Sequence, residues 1–125
     1  MRRLAPLVML LVACHSTVPT AVPGTLTIHL ASAGTNGGAM VLVVSGGAVD
    51  SVQAVGNYEV TSNTDGAGVH LMVVGNLAAG ALVRLQVPDV SRASEYVAVI
   101  SQVADRTNFG LVDATGYRVT IDELP

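Results

Sequence analysis

Apolar residues in this chain recur at every second position far more often than at every third or fourth, and that period sets the expected architecture. Thr25 to Leu30 places Leu26, Ile28 and Leu30 on one face and Thr25, Thr27 and His29 on the other, the signature of a half-buried strand. Ala39 to Ser45 is apolar on both faces, with Met40, Leu42 and Val44 opposing Val41 and Val43; this predicts a central strand or one covered on both sides. Ser45-Gly46-Gly47 makes a turn, and Val49 to Val55 alternates again. Tyr58 to Thr61 follows Gly56-Asn57, and Asn63-Thr64-Asp65-Gly66 signals a hairpin, because Asn, Asp and Gly adopt turn conformations cheaply. Gly68 to Val74 and Ala81 to Val87 are two further strands, the second ended by Pro88-Asp89. Ser94 to Val103 is the longest, with Tyr96, Ala98 and Ile100 on one side and Val97, Val99, Ser101 and Val103 on the other. A loop from Asp105 to Gly116 leads to a closing strand in which Tyr117, Val119 and Ile121 alternate with Arg118, Thr120 and Asp122.

A membrane helix is the main rival reading for Leu71 to Val87, a largely apolar stretch. Gly75, Asn76 and Gly80 interrupt it, Arg84 and Gln86 sit near its end, and valine runs favour strands. About eight short strands separated by Gly, Asn, Asp and Pro turns predict an all-β fold, an antiparallel β-sandwich over residues 25–122. Ile28, Leu42, Val73, Leu85, Val99 and Val119 are its expected buried positions. Half of the chain is hydrophobic, 12% is charged, and aromatics are limited to Tyr58, Tyr96, Tyr117 and Phe109, so the core is aliphatic.

The segment before this domain follows a different logic. Met1-Arg2-Arg3 precedes an apolar run from Leu4 to Val12, broken only by Pro6, then Ala13 and the only cysteine, Cys14. The run is about half of the roughly 20 apolar residues needed to span a bilayer, whereas a charged start, apolar middle and small-residue exit make a secretory signal. Leu11-Val12-Ala13-Cys14 resembles the cleavage site of bacterial lipoproteins. That resemblance implies a signal peptide at 1–13, cleavage before Cys14, acyl chains on the cysteine, and a cell-envelope location, at the outer membrane in a Gram-negative host. His15 to Gly24, rich in Ser, Thr, Pro and Val, reads as an extended tether, so that residues 14–24 link the lipid to the domain.

Three pieces of the domain carry a second resemblance. Gly80-Ala81-Leu82-Val83-Arg84-Leu85-Gln86-Val87, the strand from Tyr96 to Asp105, and Gly116-Tyr117-Arg118-Val119-Thr120-Ile121 resemble the cohesin-like group of bacterial β-sandwiches, which are related in shape to carbohydrate-binding modules. The likeness implies an immunoglobulin-like or cohesin-like sandwich and a binding role, and it assigns no site residue.

Charge removes one class of partner. The formal charge of −3 includes Arg2 and Arg3, so the chain after Cys14 stands at −5, with no lysine and four arginines; nothing here forms a basic stripe for nucleic acid. Catalytic motifs are also missing from the sequence: no Gly-x-Ser-x-Gly elbow, and a Gly66-Ala67-Gly68 run without the rest of a nucleotide fingerprint. His29 and His70 are too few for a zinc site, which takes three or four ligands. Asp65 with Asn63, and Asp105 with Asn108, offer oxygen ligands for calcium, but such residues also occupy turns by bonding their own backbone. Asp89, Asp105 and Asp113 would need to converge in space for hydrolysis. Tyr58 and Phe109 are the candidate ligand contacts for a glycan. The expectation is a lipid-anchored, non-catalytic module with no cofactor and no metal, held to the membrane through Cys14 and meeting an envelope or extracellular protein. Carbohydrate binding and a small envelope hydrolase are the alternatives.

Overall fold

The computed structural model describes residues 20–123, so the expected signal segment, Cys14 and most of the expected tether lie outside it, as do residues 124 and 125. Nine strands form two antiparallel sheets. They are β1 (Gly24–Ser32), β2 (Gly37–Ser45), β3 (Ser51–Ala54), β4 (Glu59–Asp65), β5 (Gly68–Val74), β6 (Gly80–Val87), β7 (Val97–Asp105), β8 (Leu111–Val112) and β9 (Arg118–Glu123). One sheet has the order β3-β6-β1-β9 and the other β4-β5-β2-β7-β8. Only β4–β5 and β7–β8 are joined within a sheet; every other connection crosses between them, which makes the fold a sandwich.

Alternation decides which side chains meet. Leu26, Ile28 and Leu30 of β1 face Met40, Leu42 and Val44 of β2 across the interior, joined by Leu71 and Val73 of β5 and Val83 and Leu85 of β6; all are at most 1% exposed. Fully burying a Leu, Ile or Val side chain stabilises by about 1.5–3 kcal/mol, and here aliphatic volume does nearly all of that work. Tyr96 and Tyr117 close the two ends, each with its hydroxyl donated to a backbone carbonyl, Ala48 at 2.6 Å and Thr35 at 3.4 Å.

Five sequence expectations are corrected. Val99, expected in the core, is 55% exposed, while Val103, two positions of alternation away, is fully buried. The reason is a register shift: Val41 pairs with Gln102 but Leu42 pairs with Ile100, so Ser101 is an extra residue in β7. A β-bulge of this kind reverses the facing of the strand on either side of it. Ala98 and Ile100 therefore face inward before the bulge, and Val103 after it. Val119 is half-buried rather than buried, because β9 is an edge strand. Val90–Glu95 form 3₁₀ turns instead of starting the long strand, with Asp89 capping them through the Ser91 N–H. The late loop contains β8 and a short 3₁₀ turn at Ala114–Gly116. The hairpin after β4 also comes later than its turn signal: the ladder runs on to Asp65 opposite Gly68, leaving Gly66-Ala67 as the loop.

Candidate surface for interaction

The two outer faces of the sandwich have opposite chemistry. On the four-stranded sheet, register places Thr25, Thr27 and His29 of β1 beside Gln86 and Arg84 of β6 and Asp122 and Thr120 of β9. That face is polar apart from Ala81, the partner of His29. On the five-stranded sheet, Val41 of β2 lies between Met72 of β5 and Gln102 of β7, and Val43 lies between His70 and Val99. Ala39 pairs with Val74 on one side and with Ala104 on the other, and Ala104 in turn meets Leu111 of β8; Val97 sits opposite Ser45.

Five of the seven large apolar side chains exposed among the described residues, Met72, Val74, Val97, Val99 and Leu111, are on this one face. Beneath them Val41 and Val43 are only half-buried. The sequence expectation for β2 was therefore met in part. It is the central strand of its sheet, but no layer covers its outer side among the described residues. A shallow, almost wholly apolar hollow of about 190 Å³ opens between Val41, Thr61, His70 and Met72. One margin carries charge, where His70 Nε2 lies 2.9 Å from Asp65 Oδ2, an ion pair when the imidazole is protonated, and Glu59 stands at the end of β4. Scattered apolar residues are normal on a protein surface, whereas a contiguous patch marks an interaction site.

The other candidate residues are placed apart from one another. His29 and His70 project from opposite outer faces, so they share no ligand. Tyr58 is half-buried; its hydroxyl donates to the Asn76 carbonyl at 3.1 Å and accepts from the Ala78 N–H at 3.2 Å, pinning the β5–β6 connection. Phe109 is 74% exposed in the β7–β8 loop at φ 59°. Tyr58 flanks the β4–β5 margin and Phe109 the β8 margin of the same sheet, with β2 and β7 between, so they form no common platform.

Each aspartate serves its own turn. Asp65 Oδ1 accepts from the Ala67 N–H at 2.8 Å, Asp89 Oδ1 from the Ser91 N–H at 3.1 Å, Asp105 Oδ1 from the Thr107 N–H at 2.7 Å, and Asp113 Oδ1 from the Thr115 N–H at 3.0 Å. Asn108 likewise accepts from the Gly110 N–H at 2.8 Å. These bonds favour the ionised form and hold all four carboxyls below the ordinary value. The leading causes are the Ala67 N–H for Asp65, the Ser91 hydroxyl for Asp89, the Thr107 hydroxyl for Asp105 and the Thr115 N–H for Asp113. A glycosidase acid needs the reverse shift. Among the described residues no three His, Cys, Asp or Glu side chains gather in a metal-binding group.

The lowered values fix a pH dependence. A carboxyl whose folded value is depressed contributes stability above the unfolded value of 3.8, and that contribution is lost as pH falls through the lower folded value. The melting temperature of the full chain should hold between neutrality and about pH 5 and drop below about pH 4. Asp89→Asn, which keeps the accepting oxygen but not the charge, should flatten the drop. A melting temperature indifferent to acid would contradict the capping role of these groups.

Comparison of the chain with protein families, with curated proteins and with solved structures finds no match.

Proposed function

We propose that the protein is an envelope-anchored, non-catalytic interaction module, tethered through lipid on Cys14, that turns the outer face of its five-stranded sheet to a protein partner. The observation that carries this reading is the contrast between the two faces. One is saturated with Thr, Gln, Arg, His and Asp, and the other exposes Met72, Val74, Val97, Val99 and Leu111 around half-buried Val41 and Val43. A protein partner suits an aliphatic face better than a glycan does, since sugars stack on aromatic rings and this face has none. The lipid anchor rests on the sequence Leu11-Val12-Ala13-Cys14 and supplies the reason for a tether of Ser, Thr and Pro ahead of β1.

Two measurements in the producing cell test the two halves of the proposal. A photo-crosslinking side chain at Val99 or Met72 should give a discrete protein adduct, while the same group at Gln86 on the polar face should give none. Adducts of equal yield from both faces would sink the docking surface. Cys14→Ser should leave the protein uncleaved and remove the mass of the acyl chains; unchanged mass and membrane fractionation would sink the anchor.

A further inference from the structure

The five-stranded sheet is unfinished along one margin. β7 is paired with β2 along its whole length, from Gly37 opposite Asp105 to Ser45 opposite Val97. On its other side β8 pairs with Val103 and Ala104 alone. From Val97 to Ser101 that edge has no strand hydrogen-bonded to it, and no backbone hydrogen bond to a turn or loop satisfies it among the described residues, although β9 and the Ala114–Gly116 turn lie close to β7. In the opposite sheet β9 is likewise an edge, paired only with β1. Two open edges, one from each sheet, therefore border the same flank.

Between them runs an open groove of about 410 Å³. Ala98, Ile100 and Val119, each half-buried and packed on the core, line it, together with Val99 and the stretch Asp113 to Thr115 that leaves β8. This flank gives access to the interior layer rather than to an outer face. Exposed strand edges are normally blunted by charge, proline or a covering element; Val97-Ala98-Val99-Ile100 has neither charge nor proline.

We infer that this groove accepts an extended segment of another polypeptide, which adds itself to β7 as the continuation of β8. Unpaired backbone N–H and C=O groups specify the occupant, because only another backbone offers donors and acceptors at the strand repeat. The direction is set by β8, which already occupies the start of the lane antiparallel to β7. Val97 to Ser101 extends about 15 Å at 3.2–3.4 Å per residue, so the occupant is a strand of roughly five residues. Its inward side chains are small and apolar, to rest on Ala98, Ile100 and Val119, and its outward ones are polar. Backbone pairing supplies the affinity, and the alternate pockets supply the selectivity, as in other cases of strand addition. The inference shares β7 with the outer face but rests on its backbone edge and on inward-facing Ala98 and Ile100, not on the outward side chains of Val97 and Val99, so Met72 on β5 separates the two readings.

Nuclear magnetic resonance on the full chain tests it with an acetylated, amidated Thr-Val-Thr-Val-Thr-Val peptide. In the free protein, edge amides between Val97 and Ser101 exchange rapidly at every concentration. With millimolar peptide, shift changes are confined to Val97–Ser101 and Val119–Ile121, and exchange at the edge slows at least several-fold. A peptide N-methylated at alternate backbone nitrogens gives neither effect. Met72→Asp, altered on the outer face, binds the peptide as the parent does. Four results would overturn the inference: no shift at millimolar peptide, shifts mapping to the β4 edge instead, equal binding by the N-methylated peptide, or edge protection in the free protein that grows with its concentration, which would make the occupant a second copy.

Discussion

Leu85→Ala should cost about 2–5 kcal/mol, towards the upper end. Leu85 is fully buried in β6, with Leu26 of β1 and Val52 of β3 as its cross-strand partners. The cost of such a truncation depends on how far neighbours collapse into the space left behind. Here they are held apart: β6 is hydrogen-bonded on both sides, and the facing layer is anchored by β2. Against a total stability of about 5–15 kcal/mol for a domain of this class, one substitution removes a large share. Val99→Ala, on the uncovered face, should change stability by no more than about 0.5 kcal/mol. Urea denaturation of both variants measures the contrast. A Leu85→Ala cost as small as that of Val99→Ala would mean that the interior of the sandwich is not where the alternation places it.

The strand count and the inward faces were legible because a two-residue period is a direct imprint of a sheet with one face in a core. Leu26, Ile28, Met40, Leu42, Val73 and Leu85 all follow from it. The errors arise where period alone is blind. Nothing in Val-Ala-Val-Ile-Ser-Gln-Val marks Ser101 as the extra residue, because Val97, Val99 and Val103 share one parity in the sequence and lie on opposite sides in the fold. β8 escaped notice since two residues are too few for any period.

Of the candidate surface, one part was written plainly. Val41 and Val43 made β2 apolar on its second face, and the inference of a covering layer was sound physics applied to a chain whose cover is not among its described residues. Aromatic residues were the weaker signal. Tyr58 sits next to a Gly-Asn turn because its ring fills the space beside Gly75, where an added Cβ would come within 2.7 Å of it, and its hydroxyl closes a loop. The groove beside β7 could not be read from sequence at all, since it depends on which strands become edges.

Gly46→Ala should be the most damaging glycine substitution, at about 3 kcal/mol or more. Gly46 ends β2 at φ 105°, a conformation that costs an L residue about 1–3 kcal/mol. A Cβ there would stand 1.8 Å from the carbonyl oxygen of Glu95. That oxygen belongs to the backbone leading into β7 and cannot turn aside like a side chain. The junction is also held from the other side, where the Tyr96 hydroxyl donates to the Ala48 carbonyl at 2.6 Å and its ring closes on Gly47. Relief therefore requires β7 to move away from β2, disturbing the pairing of Ser45 with Val97 at the mouth of the groove. Gly56 supplies the control, because it has φ 62° with nothing within 4 Å of an added Cβ. Gly56→Ala should cost only the left-handed conformation, about 1 kcal/mol. Denaturation midpoints for the two variants separate backbone strain from collision, and equal losses would show that the β2–β3 turn does not press on the β7 junction.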